Sequence, residues 1–256
     1  MKKWLMKDRR RAVVLPSLFT VANMGCGFFS ILSASDGEFP RASWFILGAI
    51  LLDMMDGRVA RWVQGESSFG IEFDSMADWV SFGVAPGYMM YEFLLKDYGV
   101  WGYPIAFVYA LCGALRLARF NLVALSGQGS KTHFTGLPIP APAGLLASFV
   151  LMYSILEEGS SAKTLKILMD QLPLLYVLVP FIMLGLAFLM VSRVPYVALK
   201  TSDLKHPKVI SVVVLGMSIL FLIYPQSALF LFFAGYVISG IVRLMLRPLI
   251  KPEIPT

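Results

Sequence analysis

Apolar residues in this chain come in long blocks, and charged residues are largely confined to the gaps between them. Each block approaches the ~20 residues an α-helix needs to cross ~30 Å of hydrocarbon. The pattern predicts eight helices, over roughly 13–35, 42–63, 73–95, 100–122, 138–157, 172–192, 208–224 and 226–246. Tyr224-Pro225-Gln226 divides the last two into a tight hairpin, because Pro225 lacks the N–H that would continue a helix. The predicted fold is therefore all-α and membrane-integral, a helical bundle of about eight transmembrane helices. No long linker, low-complexity tract or evident repeat interrupts the series, so residues 1–256 read as a single membrane domain.

Composition agrees. Of the 256 residues 57% are hydrophobic and 15% charged, where a soluble domain carries about 25% charged. Mean hydropathy is +0.72. The opening MKKWLMKDRRR resembles the start of a secretory signal, with small residues at Ser33-Ala34-Ser35 for cleavage. The apolar run over 13–34 is too long for a usual signal core, however, and more spans follow, so it is read as a retained first span. Cys26 and Cys112 each lie inside an apolar run without ligand spacing, as small packing residues do.

Charge gives an orientation. The net charge of +6 suits cytoplasmic loops and anionic lipid rather than nucleic acid. An even number of spans puts both termini on one side. Of the 22 lysines and arginines, only Arg41, Lys96, Lys163 and Lys166 fall on the other side. The positive-inside rule then predicts that both termini are cytoplasmic, in a multi-pass protein of the cell membrane.

Against this background the stretch LLDMMDGRVARWVQGESSFGIEFDSMADWVSFG, residues 51–83, stands out. Asp53 and Asp56 are three apart and share a helix face; Asp74 and Asp78, four apart, share a face of the next helix. A short connection makes the two helices antiparallel neighbours, so both pairs converge at the cytoplasmic edge. Unpaired, the four carboxylates would repel one another and lose hydration. A hard divalent cation removes both problems. All-oxygen ligation favours Mg²⁺ or Mn²⁺, and four carboxylates from two helices suffice for two ions, as in phosphoryl-transfer sites. Gly57, Ala60 and Gly70 leave room beside the backbone, and Arg61 offers a fork for phosphate oxygens. The alternative is that the aspartates cap helices or pair with Arg58 and Arg61.

The spacing Asp53-x2-Asp56-Gly57-x2-Ala60-Arg61-x8-Gly70-x3-Asp74-x3-Asp78 resembles, without a departure, the signature of the CDP-alcohol phosphotransferases. The resemblance implies transfer of a substituted phosphoryl group from a CDP-linked donor to an alcohol, with release of CMP. It implies that Asp53, Asp56 and Asp74 bind metal and that Asp78 completes a second metal site. Asp78 is also the implied general base. Asp56, Gly57, Ala60, Arg61, Gly70 and Asp74 are the implied donor-binding residues, and a homodimer is implied as well.

Softer motifs bear on the acceptor. LPSLFTVANMGCGFFSI (15–31), ALRLARFN (114–121) and FTGLPIPAPAG (134–144) look like the membrane-integral phosphatidylserine synthases. That resemblance implies CDP-diacylglycerol as donor and L-serine as acceptor. It covers about the first 145 residues; beyond them only SRVPYVALK (192–200) is similar. Serine needs a cation for its carboxylate, and Arg116, Arg119, Asn121 and Lys131 lie on the aspartates' side. They are candidates for holding the acceptor or a lipid phosphate, with snorkelling anchors as the alternative reading. Asn23, a polar group inside the first span, either reaches the polar cavity or bonds a neighbouring helix. Pro138, Pro140 and Pro142 make a stiff entry to the fifth helix, and His133 and His206 have no ligand-like neighbours. Rival readings are a glycerol 3-phosphate or inositol phosphate acceptor, an archaeal ether-lipid donor, and a cation transporter.

Overall fold

The computed structural model describes residues 2–63, 68–125, 133–157, 172–197 and 220–246. Within them the chain is almost wholly helical. Helix α1 spans Lys2–Ser35 and α2 spans Phe39–Val63. The turn between them is a Schellman motif. Gly37 adopts φ +80°, its N–H donates to Ala34 O at 3.1 Å, and Glu38 N–H donates to Ser33 O at 2.8 Å. Only glycine enters that left-handed conformation without a Cβ penalty, so the Asp36-Gly37 pair stops α1 and returns the chain as α2.

The third predicted span is one rod in three parts: α3 (Ser68–Asp78), a π-helical turn (Trp79–Val84) and α4 (Ala85–Phe93). Pro86 near the start of α4 has no N–H to donate. The carbonyl of Phe82, four residues earlier, instead accepts the buried Tyr109 hydroxyl at 3.2 Å. Neighbouring helices hold the π turn: Ser81 Oγ donates to Asn23 O at 2.8 Å, and Trp79 Nε1 to Ala110 O at 3.0 Å. A Cβ on Gly27 would come within 2.7 Å of the Ser81 backbone, so that glycine is what lets α1 approach the π turn.

A 3₁₀ segment, Leu95–Trp101, leads into α5 (Gly102–Leu125). Then come α6 (Pro140–Glu157), α7 (Leu172–Val191) and α8 (Pro225–Leu246). The prolines around 140 mark the start of α6, where the first turn's N–H groups have no intrahelical partner to lose. Every residue from 141 to 152 is buried, so α6 is the central helix, packed against α2 and α8. Two three-residue strands, β1 (His133–Thr135) and β2 (Pro195–Val197), pair antiparallel with Phe134 opposite Tyr196. They add a small β element to the predicted all-α fold.

Large apolar side chains face outward: Phe69, Trp101, Phe181 and Phe188 are all at least 70% exposed. Serines, alanines and methionines fill much of the interior. This is the surface of a membrane protein. Three described stretches, Leu18–Ser35, Leu95–Val123 and Pro225–Met245, are long and apolar enough to cross a bilayer, and Pro140–Ile155 and Tyr176–Val191 are shorter apolar helices. In α2 the signature's own charges interrupt the apolar run. The predicted seventh span lies outside the described residues except for 220–224.

Candidate active site

Three helices build the acidic cluster. Helix α2 supplies Asp53 and Asp56, α3 supplies Asp74 and Asp78, and α1 packs against both. One carboxylate oxygen from each of Asp53, Asp74 and Asp78 lies within 4.8 Å of the other two. At that spacing each ionised pair repels by about 3 kcal/mol at an effective dielectric near 20. Three such pairs together rival the net stability of a typical domain. Among the described residues no cation forms an ion pair with any of the four aspartates.

Hydrogen bonds orient the cluster without neutralising it. Asp56, only 6% exposed, accepts from the Thr20 hydroxyl and approaches Asp74 to hydrogen-bonding range. Asp78 Oδ1 accepts from Asn23 Nδ2 at 3.0 Å. Thr20 and Asn23 are three apart on α1, so one face of that helix serves both carboxylate pairs. Asp74 Oδ1 is buried and has no hydrogen-bond partner among the described residues. An anionic oxygen buried in this way, beside two further carboxylates, fits a hard divalent cation.

The basic and amide candidates on α5 separate. Arg116 is half-buried, lies 5.8 Å from the Phe120 ring centre, and faces Asp53, Asp78 and Tyr236 of α8 across electrostatic rather than contact range. Arg119 Nη1 donates to Val191 O at 3.2 Å, at the C-terminal end of α7. A cation there complements the helix's unpaired carbonyls and partial negative charge. Asn121 is buried; its Nδ2 donates to Ser75 Oγ at 3.0 Å and to Glu72 Oε2 at 3.4 Å. It therefore ties α5 to the helix that carries Asp74 and Asp78. Two arginines three apart on α5 thus engage different neighbours.

Lys131 lies outside the described residues, as do the side chains at Gly57, Ala60 and Arg61. Gly70 sits in the first turn of α3. Thr20, Ser75, Glu72 and Tyr236 escape a reading of the sequence, because isolated polar residues at helix positions carry no spacing signal. For Asn23 the two readings coincide, since the neighbouring-helix group it bonds, Asp78, belongs to the acidic cluster.

The chain is similar to proteins of known family. A family model described as CDP-alcohol phosphatidyltransferase matches residues 13–175. A CDP-diacylglycerol–serine O-phosphatidyltransferase of Helicobacter pylori is 36% identical over 233 residues, covering 90% of each chain. An archaetidylserine synthase of Methanothermobacter thermautotrophicus is 35% identical over 196 residues, covering 75% of this chain and 74% of its own. A CDP-diacylglycerol–serine O-phosphatidyltransferase of Methanocaldococcus jannaschii is 39% identical over 140 residues, covering 55% of this chain and 62% of its own.

Proposed function

Because the chain belongs to the CDP-alcohol phosphatidyltransferase family, we propose that it transfers the phosphatidyl group of CDP-diacylglycerol to the hydroxyl of L-serine, giving phosphatidylserine and CMP. The observation that carries the chemistry is the convergence of Asp53, Asp74 and Asp78 within 4.8 Å in a membrane helix bundle. The choice of serine rests on the similarity to serine-using relatives across nine-tenths of the chain.

In this reading Asp53, Asp56 and Asp74 hold one divalent ion, Mg²⁺ or Mn²⁺, and Asp78 completes the site of a second. Such ions, when bound, neutralise the donor's diphosphate and the departing CMP. Gly57, Ala60, Gly70 and Arg61 border the donor's nucleotide and phosphates. Asn23 occupies Oδ1 of Asp78, which leaves Oδ2 to take the acceptor's proton. The serine oxygen then forms its bond to the lipid-side phosphorus while the bond from that phosphorus to the CMP oxygen breaks. A carboxylate in such company is a weak base, so Asp78 acts through its position. Thr20 holds Asp56, and Asn121 holds α3 in register against α5.

Residues 1–256 form one catalytic membrane domain of about eight spans in this proposal. Both termini and the aspartates face the cytoplasm, and the enzyme is a homodimer in the cell membrane. The resemblance to an archaetidylserine synthase supports one second reading, in which the donor carries ether-linked chains.

The test uses purified protein in detergent with CDP-diacylglycerol, Mg²⁺ or Mn²⁺, and each acceptor in turn, measuring CMP. Release with L-serine alone, abolished by EDTA, is expected. Release only with glycerol 3-phosphate or an inositol phosphate would keep the chemistry and overturn the acceptor. Release only with an ether-lipid donor would establish the second reading.

A further inference from the structure

Asn23 has one more polar atom than the aspartates use. The residue is fully buried, its Nδ2 donates to Asp78, and its backbone carbonyl accepts from Ser81. The side-chain orientation is fixed by chemistry, because the flipped amide would set its oxygen against a carboxylate oxygen. Its Oδ1 therefore points elsewhere, and among the described residues nothing donates to it. A buried amide oxygen without a donor is a cost to the fold, and a bound donor recovers it. Both polar atoms share one planar group, so Oδ1 lies beside the Asp78 carboxylate.

The occupant must then be a hydrogen-bond donor next to the hydroxyl that Asp78 deprotonates. In a 2-amino-3-hydroxy acid that donor is the ammonium group, two carbons from the hydroxyl. The third substituent, the carboxylate, requires a cation facing the same cluster. Arg116 faces Asp53 and Asp78 without pairing to either, whereas Arg119 is committed to the end of α7. We infer that Asn23 Oδ1 receives the acceptor's ammonium and that Arg116 receives its carboxylate. Hydroxyl, ammonium and carboxylate are thus read from three sides by Asp78, Asn23 and Arg116. Three different contacts around one carbon select a single enantiomer. They also disfavour phosphorylated polyols, which bring no ammonium to Asn23. The inference rests on the serine reading above and adds the residues that make the choice.

The test compares wild type with Asn23→Ala and Asn23→Ser in detergent. Four quantities are measured: KM for L-serine, KM for CDP-diacylglycerol, Ki of 3-hydroxypropanoate (serine without its amine), and Mn²⁺ affinity in the absence of substrates. Loss of a hydrogen bond to a charged group should raise the serine KM by about tenfold or more. Asn23 also bonds Asp78, so the analogue's Ki and Mn²⁺ affinity report the loss of that support. The serine KM should rise at least about tenfold more than the analogue's Ki, and the donor KM should stay within about twofold. Asn23→Ser carries the same expectation should the alanine variant not fold. An unchanged serine KM would overturn the subsite. Equal weakening of serine and of the analogue would make Asn23 only a support for Asp78, and would also overturn the subsite. Absence of serine-dependent CMP release from wild type would instead overturn the function on which the subsite rests.

Discussion

The two ends of α2 and of the α3–α4 rod solve opposite problems. At one end Phe93 meets Phe39, Tyr153 and Tyr176 edge to face, with ring centres 5.1, 5.4 and 6.1 Å apart. Tyr153 stacks on Tyr176 at 5.0 Å, the Tyr176 hydroxyl reaches Asp97 Oδ2 at 3.3 Å, and Lys96 pairs with Glu92. Roughly 20 Å along α2, at 1.5 Å per residue, the aspartates sit instead with like charge beside like charge. Asp74 and Asn23 there each keep a buried oxygen without a donor or cation among the described residues. The aromatic end is complete in itself. The acidic end is left with like charges and unpartnered oxygens, and that deficit sets the candidate site apart from the scaffold.

Substitutions should respect the division. The largest effect belongs to Asp78→Asn, which keeps shape but removes the proposed base. CMP release should fall by about 10²- to 10⁴-fold while donor KM changes little. Turnover near the wild-type rate would remove Asp78 from the chemistry. Next, Arg116→Ala should raise the serine KM by about tenfold or more, the loss of a charged hydrogen bond, while Arg119→Ala leaves it unchanged. The opposite pattern would exchange the two arginines' roles. At the aromatic end Phe149→Ala removes a ring that is 4% exposed. It should cost about 3 kcal/mol of packing, seen as a lower melting temperature in detergent, with serine KM untouched. A shifted KM would mean the two ends are coupled. The smallest effect is expected from Lys96→Ala: an exposed lysine in an i,i+4 pair contributes little, so melting temperature and turnover should both hold.

What the sequence reveals here depends on the range of the interaction. Long apolar blocks predict helices at 42–63, 138–157 and 226–246, and the structure has Phe39–Val63, Pro140–Glu157 and Pro225–Leu246. The aspartate cluster is legible for the same reason, since i,i+3 and i,i+4 spacing on adjacent antiparallel helices constrains where the carboxylates meet. Hydropathy places the start of the third helix at 73, whereas α3 begins at Ser68, because Glu72 and Asp74 lower the apolar signal without weakening the helix. The π turn leaves no trace in hydropathy, being a change of hydrogen-bond register within a continuous apolar run. The β1–β2 pairing joins segments some 60 residues apart through backbone bonds, to which side-chain patterns are blind. Arg116 and Arg119 look alike by spacing. Their long side chains are divided by what they face, an acidic cluster for one and a helix end for the other.

The π turn also makes chain length a controlled quantity at this point. Between Asp78 and Ala85 the helix carries a surplus residue, and the Ala85 N–H reaches back to Val80 O rather than to Ser81 O. At 3.6 residues per turn, a surplus residue sets everything beyond it about 100° out of phase with an uninterrupted helix. The rod therefore works like a shaft with an offset coupling: Asp74 and Asp78 face the acidic cluster while α4 turns a different side to α1 and α5. Deleting one residue from 79–84 would give a more regular helix and a worse enzyme. Relatives of this chain should tolerate varied side chains in those six positions far better than a gap.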